Sequence, residues 1–257
     1  MSIRRTPPSC IGLIPARAGS KRVANKNIRV LNGHPLIAYT ICAAVESGIF
    51  SDVIVSTDSA EYAEIAQHYG AKVPFLRPPE YAGDLSPDIE WITYTLKRLK
   101  NEGKEYDCFS ILRPTSPFRL PETIRRAWNA FIQEEGVDSL RAVEKCHEHP
   151  GKMWVVRGKR MLPLLPFGPE QKPWHSTPYQ ALPLIYIQNA SLEIAWCRVV
   201  LGKGTIAGEV IMPFFTEGYE GFDVNHHEDW TNATDLVKVG AAHLPSMHQK
   251  PWGSSPG

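Results

Sequence analysis

The chain has no C-x-x-C pair: its five cysteines, Cys10, Cys42, Cys108, Cys146 and Cys197, lie at long spacings. That argues against a zinc ribbon and a disulfide framework, and it fits a reducing compartment. No run of about 18 apolar residues is present, so no membrane span is expected. The opening residues, MSIRRTPPSC, carry two arginines but then prolines where a signal peptide would have its apolar core. The expectation is a cytoplasmic protein, without a membrane partner. Net charge is only +1, which leaves no basic excess of the kind that holds duplex nucleic acid. Any anion site is therefore local. No internal repeat is visible.

What is present is a regular alternation. Residues 11–14, 53–56, 73–76, 109–112 and 139–143 read as strands, and 36–46, 60–69, 88–99 and 121–134 as helices, the last opened by Pro121. This is the rhythm of a sheet wound with helices, so the fold class is α/β. A chain of 257 residues suits one such domain. We assign it to residues 9–242, with 1–8 and 243–257 as flexible termini. Within it, 145–183 breaks the rhythm with Gly and Pro and reads as a hairpin insertion. Strands then return at 184–188, 192–196 and 210–214, and a last helix at 228–239.

The first apolar run ends in IPARAGSKRV, where Arg17, Lys21, Arg22 and Lys26 crowd around Ala18-Gly19-Ser20. Ligands of wound sheets bind beyond the carboxyl ends of the strands, where this loop falls. Small residues let backbone N–H groups approach an anion, and the cations supply charge that a triphosphate needs. A solvated basic turn is the alternative. The loop is neither G-x-x-x-x-G-K-[ST] nor G-x-G-x-x-G. At the next strand end, Asp58 of Ser56-Thr57-Asp58 is read first as the cap of the following helix and second as part of a nucleotide pocket. His226-His227 and Cys146-His147-Glu148-His149 suggest a metal, but adjacent strand residues point to opposite faces and the second cluster lacks another half. Both are read as polar loops.

Pro15-Ala16-Arg17-Ala18-Gly19-Ser20-Lys21, followed by Asn25-Lys26-Asn27, resembles the signature of the acylneuraminate cytidylyltransferases, which make CMP-sialic acid and related CMP-sugar acids. HPLIAYTICAAVESGIFSDVIVSTDS, EIAQHYGAKVPFLRPPEYAGD, RPTSPFR and GFDVNHHEDW are similar to that family's blocks, in its order. The resemblance implies a Rossmann-like, mostly parallel sheet with a hairpin dimerisation insertion. It also implies transfer of the cytidylyl group of CTP to the anomeric hydroxyl of a nonulosonic acid, with Mg²⁺ as cofactor, pyrophosphate as product and a homodimer as the assembly.

By resemblance, Arg17, Ser20 and Lys26 hold the triphosphate with Lys21 beside them and Ala16 and Gly19 in the same loop; Asn27 contacts the nucleotide, Arg77 the cytosine, and Lys152 lies near the sugar acid. Asp223 and Asn225 are the metal-side residues, which strand alternation would put on one face. The family has a second acid where Asn225 stands; Asp229 ranks below. Arg17, Lys26 and Asp223 form the catalytic set. Trp154, Trp174 and Tyr179 suit either a dimer interface or a loop folded over its own sheet.

Two departures concern the acceptor. The family's L-Q-P-T-S-P-L-R reads Leu112-Arg113-Pro114-Thr115-Ser116-Pro117-Phe118-Arg119, and its carboxylate-gripping arginine is replaced by Ile187 in Tyr186-Ile187-Gln188-Asn189-Ala190-Ser191. Arg113 is the candidate to hold that carboxylate from another wall, with Asn189 counted among the substrate contacts. The alternatives are a legionaminic, pseudaminic or Kdo-like acid, another sugar or a phosphonate, another nucleotide, or a nucleotide-sugar-binding module without turnover.

Overall fold

The run CIGLIP forms β1 (Cys10–Pro15), with the next elements β2 (Val30–Leu31), β3 (His34–Pro35), α1 (Leu36–Ser47), β4 (Asp52–Ser56), α2 (Ala60–His68), α3 (Asp88–Asn101) and β5 (Cys108–Ile111). They are followed by α4 (Pro121–Gln133), β6 (Ser139–Lys145), β7 (Trp154–Arg157), β8 (Arg160–Pro163), β9 (Tyr186–Trp196), β10 (Ile211–Phe215) and α5 (His227–Lys238). This computed structural model describes residues 7–20 and 23–253. The chain divides into two units, one running to Ala142 and resuming at Asn189, the other Val143–Gln188.

The larger unit explains why β1 is apolar throughout. Cys10 and Ile14 enter one buried cluster with Ile37 and Ile41 of α1, Ile65 of α2 and Phe131 of α4. Ile11 and Leu13 enter another with Trp91, Ile92, Leu96 and Leu99 of α3. A strand covered on both faces has no solvent side, so alternation of polarity disappears. Gly12 is small because Phe50 lies against it: a Cβ there would sit 3.1 Å from the ring.

The sheet order is β10-β6-β9-β5-β1-β4. β1 runs parallel to both β4 and β5, and β9 is antiparallel to β5. The fold is thus α/β with a mixed, mostly parallel sheet. Past the carboxyl ends of the parallel strands, Ala16 N–H still bonds the Ser56 carbonyl and Leu112 N–H that of Leu13, each at 2.9 Å. The loops that follow β1, β4 and β5 therefore start side by side.

Three expectations change. Residues 73–76 form no strand: the backbone makes one bridge, Ile54 to Lys72, and then Pro74 removes a ladder donor. The expected strands 184–188 and 192–196 are replaced by one, β9. No strand forms around Asp223. Residues 243–253 make contacts, His68 with the Lys250 carbonyl (2.8 Å), Trp252 N–H to the Tyr69 hydroxyl (3.1 Å) and Met247 against the core, whereas residues 1–6 and 254–257 of the termini read as flexible lie outside the described residues.

In the smaller unit β7 and β8 pair antiparallel across a turn with Gly158 at φ 61°. Trp154, Val155, Val156, Met161 and Leu162 are exposed.

A clamp closes the far end of the larger unit's sheet. Asp138 accepts the backbone N–H of Glu209 (2.8 Å) and the Lys203 ammonium (2.9 Å), which hold its carboxyl near about 2. Its folded pKa lies below the unfolded one, so this support is complete above about pH 4 and fades as pH falls toward 2. Gly208, at φ 72°, lies where a Cβ would stand 2.3 Å from that of Asp138. Gly208→Ala is expected to lower the melting temperature by roughly 5 °C or more, and Asp138→Asn to flatten the acid limb of the stability curve, both read by melts across pH.

Candidate active site

The loops after β1 and β5, the stretch leading from α2 into α3 and the residues just before α5 enclose a cleft of about 300 Å³ lined by Arg17, Ser20, Lys26, Asn27, Arg77, Arg113, Asp223 and Asn225, among others. Residues more than two hundred positions apart in sequence, such as Arg17 and Asn225, thus share one cavity at the strand ends. A larger cavity of about 750 Å³ runs along α3 beside Tyr81, off the strand ends.

The loop after β1 is shaped by its backbone. Gly19 sits at φ 73°, a conformation that L side chains rarely adopt. Asn25, at φ 50°, starts a tight 3₁₀ turn over Lys26–Ile28, and its carbonyl accepts the N–H groups of Ile28 and Arg29. Asparagine tolerates that conformation best among non-glycine residues. The turn presents Lys26 and Asn27. Asn27 is buried and donates to the Arg17 carbonyl (3.4 Å). Arg17 pairs with Asp84 at 2.7 Å, with about a third of each side chain exposed. Such a half-exposed pair is worth about 1 kcal/mol or less, so an incoming polyphosphate can displace it.

Asp58 is not the helix cap expected from the sequence. Ser59 caps α2, accepting from Tyr62 N–H, because Asp58 reaches back to the first loop and accepts Ala18 N–H at 2.7 Å. Ser56, two residues earlier, holds Arg77: its hydroxyl accepts from Nε (3.0 Å) and its carbonyl from a terminal nitrogen (2.8 Å). The end of β4 therefore fixes both the anion loop and the arginine. Asp58→Ala is expected to weaken binding of a nucleoside triphosphate to this loop about tenfold by calorimetry, with Asp58→Asn, which keeps the acceptor oxygen, restoring most of it.

Arg77 is 6 % exposed, and its guanidinium lies 4.7 Å over the Trp91 ring. Burial pushes its pKa down to about 10 against the pull of Asp88 and Asp58, so it keeps its charge at neutral pH. Trp91 donates to Asp88 at 2.8 Å, and Asp88 accepts from Arg113 at 2.6 Å. Arg113 also bonds Glu193 through the same terminal nitrogen (3.2 Å), and Arg141 holds the other oxygen of Glu193. Burial opposes both charges of the central pair, but attraction wins: the Asp88 carboxyl lies below its ordinary range and the Arg113 pKa above. Arg113 thus enters the cleft already braced by two acids that the sequence reading missed.

Asp223 and Asn225 face the cleft because Val224 between them is fully buried, packed with Leu36, Tyr39 and Trp230. Its N–H donates to the Thr115 carbonyl (2.8 Å) and its carbonyl accepts the Lys26 ammonium (2.7 Å). Asn225 donates its amide to one oxygen of Asp223. The other oxygen of Asp223 is buried with no hydrogen-bond partner. A carboxylate oxygen in that condition fits a divalent cation, whose oxygen ligands this pair supplies. Asp229 accepts the N–H groups of Asn225 and His226 and so caps α5.

Ala16 is buried beneath the loop. Asn189 bonds Thr216 (2.9 Å) and Ser191 N–H (3.2 Å) and is not among the cleft-lining residues. Lys152 belongs to the smaller unit, where its ammonium donates to the carbonyls of His175 and Thr177. Lys21 lies outside the described residues. Among these, no group of three or more His, Cys, Asp or Glu forms a metal cluster, so neither His226-His227 nor the Cys146 segment builds one.

Comparison with known proteins gives a consistent result. The chain is 48% identical over 232 residues to CMP-N,N'-diacetyllegionaminic acid synthase of Legionella pneumophila, covering 89% of this chain and 96% of that one. It is 36% identical over 132 residues to pseudaminic acid cytidylyltransferase of Campylobacter jejuni, covering 51% and 57%. The fold is that of CMP:2-keto-3-deoxy-manno-octonic acid synthetase in complex with CTP, with a TM-score of 0.64 at 13% identity over 90% of this chain and 99% of the other. Residues 11–149 match the family described as Cytidylyltransferase. The chain belongs to the cytidylyltransferase family and is a nucleotidyltransferase.

Proposed function

We propose that the protein transfers the cytidylyl group of CTP to the anomeric hydroxyl of a sialic-acid-like sugar acid, and that N,N'-diacetyllegionaminic acid is its preferred acceptor. The observation that carries this is the near full-length similarity to a synthase named for that product. The cleft suits the reaction. The acceptor hydroxyl attacks the α-phosphorus in line and pyrophosphate departs. Arg17, Ser20 and Lys26 neutralise the leaving phosphates, and Arg77, fixed by Ser56, reads the base. Asp223 and Asn225 hold a divalent ion, Mg²⁺ in the simplest case, which supplies charge neutralisation at the phosphate oxygens. Arg113 offers the acceptor carboxylate a guanidinium of which one terminal nitrogen is already committed to Asp88 and Glu193.

Pyrophosphate release with CTP, UTP and GTP against a panel of nonulosonic acids and Kdo tests the reading. Turnover confined to CTP and best with the legionaminic acid is expected; silence across the panel by folded protein would defeat it. Arg113→Gln is expected to raise the acceptor KM while leaving CTP affinity intact.

We further propose a homodimer built on the smaller unit, supported by the exposed apolar side chains on β7 and β8. Light scattering on the intact chain, with Val156→Glu and Leu162→Glu expected to yield monomer, tests it. None of the described helices is long and apolar enough to cross a membrane. The cysteines are free, which supports a cytoplasmic setting.

A further inference from the structure

Arg119 is 1 % exposed, and no carboxylate reaches it among the described residues. Burying a guanidinium without an anion is costly, and an apolar side chain of similar volume would stabilise the fold as well or better. What Arg119 has that such a residue lacks is a set of directed donors. It bonds the Ser191 carbonyl on β9, the Thr40 hydroxyl on α1 (2.9 Å) and the Arg113 carbonyl at the end of β5 (3.3 Å).

The Arg113 carbonyl also receives the Thr40 hydroxyl (3.4 Å) and Ser116 N–H (3.3 Å). Three donors thus pin the peptide from which the cleft wall 113–115 begins. At the other end of that wall the Thr115 carbonyl carries Val224 N–H, and the Val224 carbonyl in turn takes Lys26. A continuous series of bonds runs from Arg119 to the peptide unit between Asp223 and Asn225.

We propose that Arg119 is a positioning residue for cytidylyl transfer, setting the wall 113–115 and through it the placement of Asp223 against the triphosphate loop. This rests on the reading that Asp223 and Asn225 hold the divalent ion. Arg119 touches no substrate and acts only through the wall it fixes.

The test uses the full chain, CTP, Mg²⁺ and N,N'-diacetyllegionaminic acid, with pyrophosphate release, calorimetric CTP binding and thermal melting as readouts. Arg119→Lys keeps the charge and loses the planar fork. It is expected to lower kcat about a hundredfold and to raise the Mg²⁺ half-saturation, with CTP affinity within about threefold of the parent. Thr40→Val removes the hydroxyl that orients Arg119 and is expected to act in the same direction by about tenfold, with Thr40→Ser restoring the parent values.

Folded variants with parent kcat and Mg²⁺ half-saturation would overturn the proposal. So would a fall in CTP affinity that matches the fall in kcat, which marks general loosening. If Arg119→Lys does not fold, the Thr40 pair decides alone. Asp223→Asn in the same assay separates the two readings: if it leaves the Mg²⁺ dependence unchanged, the ion assignment fails, and Arg119 is judged on kcat and acceptor KM.

Discussion

Asp223→Asn is expected to reduce kcat by about a hundred- to a thousandfold, the scale of losing a principal electrostatic contact in the transition state. The same substitution should not harm the fold. In the structure one Asp223 oxygen is buried and unpartnered, a condition that costs free energy until a cation is bound. The neutral amide still buries a polar group there but removes the unpaired charge, the larger part of that cost, so the melting temperature without ligands is expected to stay level or rise. The parent should then gain several degrees on adding Mg²⁺ with CTP, and the variant should not. A parallel loss of stability and activity would mean that Asp223 is structural. Asn225→Asp is the complementary change, since it adds charge beside an oxygen now held by the Asn225 amide. It is expected to tighten divalent-ion binding measured by Mn²⁺ titration.

Arg77→Met is expected to weaken CTP binding about thirty- to a hundredfold, from the loss of one charge-assisted hydrogen bond at about 1.5–3 kcal/mol. It should also narrow the preference for CTP over UTP, which calorimetry with both nucleotides would detect. Methionine fills the space over Trp91, so the fold is expected to survive. Arg77→Lys should behave nearly as badly, because an ammonium cannot take both the hydroxyl and the carbonyl of Ser56 while lying flat on the indole. Unchanged affinity in both variants would remove Arg77 from the base pocket.

The strand ends were legible in the sequence because burial on both faces leaves a plain mark: Ile11–Ile14 admits no polar residue, and the cations begin where it stops. The same logic failed at residues 73–76, where an apolar pattern of similar look contains Pro74 and the pairing stops after the one bridge at Lys72. Partnerships over distance left no mark at all. Asp58 beside Ser59 reads as a cap by local rules, but its acceptor is taken by Ala18, forty residues away. Arg113 stood out as an arginine in place of glutamine, whereas Asp88 and Glu193 carried nothing to tie them to it. Trp91, three residues after Asp88, had a helical spacing from which the indole bond was readable, but not the guanidinium above it.

The peptide at Val224 has a temporal meaning as well as a geometric one. Its carbonyl meets Lys26 across 198 positions of chain, so the nucleotide loop leaves the ribosome long before the acid that completes the site exists. Contacts of such sequence separation form late, after the loop-closure entropy has been offset by the sheet. CTP therefore has no complete site to bind on a nascent or partly folded chain. Its stabilisation falls on the finished molecule, where it slows unfolding, and the sheet must assemble on its own apolar layers.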